Sequence, residues 1–207
     1  MDRDRVAKWA AGPSYGPVLS QTDLYLLRDI QLEIHPVLAN IDEGFQLNFD
    51  LSTGHTSGHR PGGDRDLEFT AKSEPATIPR VSELMIITHK SPWCTIVKNP
   101  EGVTCGDICE TLFREYTERE VTQAELNSLP PRAQDSINRF RDTAMRHGAQ
   151  WGPGAYFNQP PAPGMTRRVD WLTDYSIFER LSHDAGYART RLGFSAPNIL
   201  VLQLTRY

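Results

Sequence analysis

Residues 92–116, PWCTIVKNPEGVTCGDICETLFREY, read as a strand, a tight turn and a capped amphipathic helix in close succession. Trp93, Thr95 and Val97 alternate with Cys94, Ile96 and Lys98, the two-residue period of a strand. Asn99-Pro100-Glu101-Gly102 marks a turn, because proline fixes φ and glycine supplies a left-handed corner. Thr104 stands three residues before Asp107, a spacing at which its hydroxyl caps the free N–H groups of a new helix. Cys105, Ile108, Cys109, Leu112, Phe113 and Tyr116 then recur at helical spacing and form one apolar face. The unit specifies structure, and it holds no complete catalytic set.

Upstream, residues 83–89 (ELMIITH) are apolar on both sides in the middle, which predicts a central strand. Lys90-Ser91-Pro92 joins it to the opening unit, so the two strands can form an antiparallel hairpin-like pair. Residues 45–51 (FQLNFDL) alternate strictly, the pattern of a half-buried strand, and residues 198–206 (NILVLQLTR) form a closing one. Thr22 and Asp23 can start a helix through Leu24, Leu27 and Ile30 that ends before Pro36. Thr122 and Glu125 repeat the capping spacing, and Pro130-Pro131 opens a further helix with Ile137, Phe140 and Ala144 on its inner face and Gly148 as its stop. Residues 167–181 read as a short extended piece and a turn. The predicted fold is α+β: one domain over residues 1–207, a mainly antiparallel sheet with helices packed on one face, an N-terminal arm over 1–20, and long Gly/Pro-rich loops over 52–80 and 148–166. Its core is expected to hold Ile86, Ile96, Ile108, Leu112, Phe140, Leu200, Leu202 and Leu204, with Trp93 packed on it and Trp151 the most exposed tryptophan.

A length of 207 residues with 39% hydrophobic and 23% charged residues suits one globular domain with generous loops. The net charge of -4 gives no reason to expect nucleic acid or an anionic membrane as a partner. No apolar run approaches the roughly 20 residues that span a bilayer, and the first residues carry no stretch of signal-peptide length. Three cysteines, two of them on one predicted helix face, point to a reducing cytoplasmic or nuclear setting.

The segments WAAGPSYGPVLS (9–20), IHPVL (34–38), PATIPRVSELMIITHKSPW (75–93) and GVTCGDICETL (102–112) resemble a large group of basidiomycete fungal proteins that share a domain of unknown function. LNSLPPRAQ (126–134), RRVDWLTDYSIFERL (167–181) and the ending VLQLTRY (201–207) fit the same group, so the resemblance spans nearly the full chain. It implies a single intracellular domain and a fungal source, and brings no reaction, substrate or catalytic residue.

Four sets of residues bear weighing. Cys105 and Cys109 share a helix face, and the first-turn position of Cys105 favours thiolate, yet both also complete the apolar stripe. His55 and His59, with Asp64 and Asp66 nearby, have metal-ligand chemistry, but Gly54, Gly58, Pro61, Gly62 and Gly63 oppose the helix that would align them. Arg167, Arg168, Asp170 and Trp171 are either a charge network tying a loop to the helices or a surface for a protein or a small anionic ligand. The four tryptophans can line a groove or close the edges of a core. No residue set calls for a cofactor or metal, and no catalytic residue is assigned. The expected function is therefore a non-enzymatic protein-binding or scaffold domain. The alternative is a hydrolase or transferase using Cys105 or a buried acid–base pair.

Overall fold

In the computed structural model, which describes residues 8–9, 16–27, 30–63, 65–148 and 165–206, the opening strand, turn and helix form as their residues dictate. The elements in chain order are α1 (Gln21–Leu26), β1 (Glu33–Ile34), α2 (Pro36–Ala39), β2 (Gln46–Phe49), β3 (Thr56–His59), β4 (Leu67–Glu68), a 3₁₀ turn (Thr70–Ser73), β5 (Thr77–Ile78), β6 (Glu83–Thr88) and β7 (Thr95–Lys98). They continue with α3 (Cys105–Thr117), α4 (Gln123–Asn127), α5 (Pro131–Gly148), α6 (Arg168–Leu172), β8 (Ile177–Ser182), α7 (Ala185–Leu192) and β9 (Ile199–Thr205). This is the α+β architecture expected from the pattern.

The main sheet has the strand order β7-β6-β9-β8. β6 pairs antiparallel with β7, Leu84 opposite Val97, and parallel with β9, Ile86 opposite Leu200. A parallel neighbour needs a long crossover, and the chain between β6 and β9 supplies it. β8 closes the other edge antiparallel to β9. A second antiparallel sheet, β2-β3-β4, adjoins that edge through an isolated bridge between Asp50 and Ile177 and a 2.9 Å bond from Leu51 N to Ser176 O. β1 and β5 form a separate two-stranded ribbon.

The cap of α3 works reciprocally. Thr104 Oγ1 accepts from Asp107 N at 3.1 Å, and Asp107 Oδ2 accepts from Thr104 N at 2.8 Å and from Asn99 Nδ2 at 2.7 Å. The turn and the helix start are thus one hydrogen-bonded unit. From there α3 presents Cys105, Ile108, Cys109 and Leu112 to the core that Leu84, Ile86, Val97, Leu200, Leu202 and Leu204 build on one face of the sheet. Truncating a fully buried leucine such as Leu112 to alanine costs about 2–5 kcal/mol in such a setting.

Several expectations change in detail. Ile96 is 45% exposed, because Thr95 and Val97 take the inward positions and strand alternation turns their neighbour out. Phe140 is half-buried, while Ile137 is buried. α1 is capped by Ser20 and stops at Leu26, leaving Tyr25 and Leu26 exposed. Residues 167–181 hold a helix, α6, before β8 begins. The opposite face of the main sheet is also covered in part: α7 sets Ala188 against Ile87, Ile199 and Val201. Only Ala188 is buried in that helix, so it has no apolar stripe to announce it.

The stretch 52–80 is not wholly loop, since β3, β4, the 3₁₀ turn and β5 lie within it, β3 pairing with β2 and β5 with β1. The sequence of β3, TSGH, lacks the usual strand residues, and the fold requires the glycine at 58. A Cβ there would come within 2.1 Å of the Phe45 ring, which lies across the strand at that point. Residues 151–164, Trp151 among them, lie outside the described residues, as does the side chain of Ala144. Among the described residues no helix is long and apolar enough to cross a membrane.

Candidate functional site

The stretch predicted as a partner surface is held by helix ends. Arg167 is the N-cap residue of α6, and its N–H donates to Asp170 Oδ2 at 2.7 Å. Burial raises the Asp170 carboxyl above its ordinary range, against the backbone bond from Arg167 and the nearby Arg167 and Arg141 charges. Arg168 Nη1 donates to Glu115 Oε2 at 3.2 Å, and its guanidinium carbon stands 4.7 Å from the centre of the Trp93 ring. Trp93 meets Trp171 edge-on at 5.1 Å, lies near Tyr116, and donates from its indole nitrogen to Glu125 Oε1 at 2.6 Å. Tyr116 in turn shares a 2.6 Å hydrogen bond with Ser91, and burial pushes its phenol up to about 12. The structure thus brings Arg168 and Trp171 together around Trp93, with Arg167 and Asp170 in the cap beside them. These contacts join α3, α4, α6 and the segment before β7, which favours the structural reading weighed for the arginines.

The two thiols of α3 are enclosed. Cys105 and Cys109 are buried in the core, and burial pushes both up, Cys105 well above its ordinary value and Cys109 to about 12. Cys105 N is the first amide of α3, yet it donates to Glu74 O at 3.0 Å, and the neighbouring Cys109, Glu74 and Asp107 add to the rise. Burial outweighs the helix-end effect. His55 precedes β3 and His59 ends it, so the helical spacing that would converge two imidazoles does not exist. Asp64 lies outside the described residues, among which no cluster of three metal-ligating side chains occurs.

A different place gathers polar and aromatic groups. β1 and β5 pair, His35 N donates to Ala76 O at 2.9 Å, and Ala76 N donates to Val103 O at 2.9 Å. This ladder sets His35, at the start of α2, opposite Glu74, just after the 3₁₀ turn. His35 Nε2 lies 2.8 Å from Glu74 Oε2, and His35 Nδ1 accepts from Val37 N at 3.2 Å. An acceptor Nδ1 carries no proton, so Nε2–H is the donor to the carboxylate and the ring is neutral. Burial lowers the His35 pKa below its ordinary value, against the opposing pull of Glu74 and Asp42.

The pair borders a cavity of about 240 Å³. Trp9, Phe45 and Phe69 supply aromatic wall, and Asp42 and Glu74 supply carboxylates. Trp9 meets the His35 ring edge-on at 4.7 Å, and Phe45 stacks with Phe69 at 5.8 Å. Asp42 Oδ1 is occupied by Gly44 N at 2.7 Å and Phe45 N at 2.9 Å, an Asx-type turn that aims its side chain. Sequence reading missed this site because its parts stand far apart along the chain. The trace in the sequence was Trp9, a large aromatic in an otherwise Gly/Pro-rich arm.

Residues 45–190 match the model of a family described as a family of unknown function, DUF6699. No curated protein and no solved structure matches the chain.

Proposed function

The chain belongs to DUF6699, a family of unknown function, and on that premise we propose that it is a non-enzymatic, intracellular binding or scaffold domain of a fungal protein whose ligand or partner enters the cavity beside His35. One observation carries the reading: the imidazole and the helix thiols that could react are already committed. His35 uses one ring nitrogen as acceptor for Val37 and the other as donor to Glu74, leaving no free lone pair for general-base work. The enzyme alternative through Cys105 has no accessible thiol to start from. What the cavity offers instead is aromatic surface and fixed charge, the materials of recognition.

Arg167, Arg168, Asp170 and Trp171 stand as a second candidate surface, for a protein or a small anion, supported by the half-buried Trp171 ring beside Trp93. NMR with a mixed set of small cationic, anionic and neutral probes tests the leading reading, the Trp9 indole N–H resonance reporting the site and the ligand signals reporting affinity. Binders that shift this resonance in the wild type and lose affinity in Trp9→Phe support it. A set in which no member moves that resonance would remove the cavity as the binding site.

A further inference from the structure

We infer that the cavity beside His35 takes an organic cation, an ammonium head group carrying methyl groups, either as a free small molecule or as a methylated lysine side chain of a partner. The inference rests on the reading of that cavity as the binding site. Its charge decides the class. Asp42 and Glu74 line the space with His35, no lysine or arginine among the described residues lines it, and His35 is neutral because its Nδ1 accepts a backbone hydrogen bond. Lys8, the nearest base along the chain from Trp9, stands 5.8 Å from the centre of the Trp9 ring and is paired with Glu33, so its own charge is matched. Asp42 Oδ2 and Glu74 Oε1 have no hydrogen-bond partner among the described residues. An anion would face two carboxylates here, and a neutral apolar ligand would cover free carboxylate oxygens without compensating them.

The walls decide the kind of cation. Trp9, Phe45 and Phe69 bring three ring systems to the wall of one cavity, Phe45 and Phe69 stacked on one another, and aromatic rings attract a diffuse, weakly hydrated cation. A hard metal ion would need several converging oxygen or nitrogen ligands. Among the described residues no such group of three occurs, and both nitrogens of His35 are engaged. The volume of about 240 Å³ holds a trimethylammonium group with room for the stem that carries it. Gly58 contributes as well, since only a residue without a side chain leaves the Phe45 ring where it stands.

The experiment titrates the full chain with choline and with its neutral isostere, 3,3-dimethyl-1-butanol, following the Trp9 indole N–H resonance. The expected result is saturable choline binding at least about tenfold tighter than that of the isostere. Asp42→Asn keeps the turn acceptor while removing the charge, and Glu74→Gln keeps the acceptor for His35; each should weaken choline by several-fold. Two further arms use one short peptide with trimethyllysine or unmodified lysine. Tighter binding of the trimethylated peptide than of choline would assign the head group to a protein partner, and the reverse would assign it to a small molecule. Equal binding of choline and the isostere would overturn the cation inference while leaving the cavity as a binding site. No shift with any of these probes would overturn it as well, and this comparison on the wild type stands even if a variant fails to fold.

Discussion

The Arg168 guanidinium lies over the Trp93 ring, its carbon 4.7 Å from the ring centre, while Nη1 reaches Glu115 at 3.2 Å. An arginine so placed holds two elements together before it meets any partner. Arg168→Ala should therefore cost about 1–3 kcal/mol in urea unfolding, from the lost cation–π contact and the carboxylate left behind. Arg168→Lys should recover only part of it, because an ammonium lacks the flat guanidinium face. An unchanged midpoint would return Arg168 to the free partner surface proposed for it.

Gly106 and Gly186 both lie in helices, and the same substitution should act on them with opposite sign. A Cβ on Gly106 would approach Lys72 O, a backbone atom of the 3₁₀ turn, to 2.9 Å, so α3 and that turn must separate. Gly106→Ala should lose about 1–2 kcal/mol despite its better helix propensity. At Gly186 the nearest contact is Asp184 Oδ1 at 3.4 Å, and Gly186→Ala should gain up to about 1 kcal/mol. Thermal midpoints of the two variants, measured side by side, check the pair.

The thiols should separate by accessibility. Cys105 and Cys109 are buried, whereas Cys94 is half-buried, its thiol raised by burial and drawn back by Arg191. Alkylation at neutral pH should therefore modify Cys94 first, slowly, and leave the other two untouched until denaturant is added. Mass spectrometry of a time course reads this directly, and rapid labelling of Cys105 in the folded protein would reopen its candidacy as a nucleophile.

His35 sets a pH dependence whose sign follows from its surroundings. Burial holds its folded pKa below the ordinary value of 6.5. As the pH falls below that value the unfolded chain binds the proton first, so the contribution to stability is complete above pH 6.5 and is lost as the pH falls through the folded pKa. Unfolding free energy should thus decline on acidification from about pH 7 to pH 5, and His35→Gln should flatten that decline. The His35 ring proton shift, followed by NMR, should show a midpoint below 6.5; one above it would mean a charged imidazolium paired with Glu74.

Local chemistry in the sequence determined the elements whose partners are neighbours in the chain. Thr104 with Asp107 and Thr122 with Glu125 start α3 and α4 because a cap is made within four residues. Alternation placed β2 and β7, and apolar runs placed β6 and β9, since both patterns are properties of the strand itself. Tertiary structure decided what depends on residues far apart. β3 rests on its pairing with β2 and β4, with Gly58 leaving room for the Phe45 ring, and α7 rests on Ala188 packing against the sheet face at Ile87 and Val201. Ile96 is outside because Val97 is inside, a choice that follows once β6 and α3 define the core side. The same holds for the sites. Arg168 and Trp171 could be named from their types, yet only folding puts Trp93 and Glu115 against the guanidinium. The cavity was beyond reach in one dimension: Trp9, His35, Asp42 and Glu74 become neighbours only when β1 pairs with β5 and Trp9 meets the ring of His35.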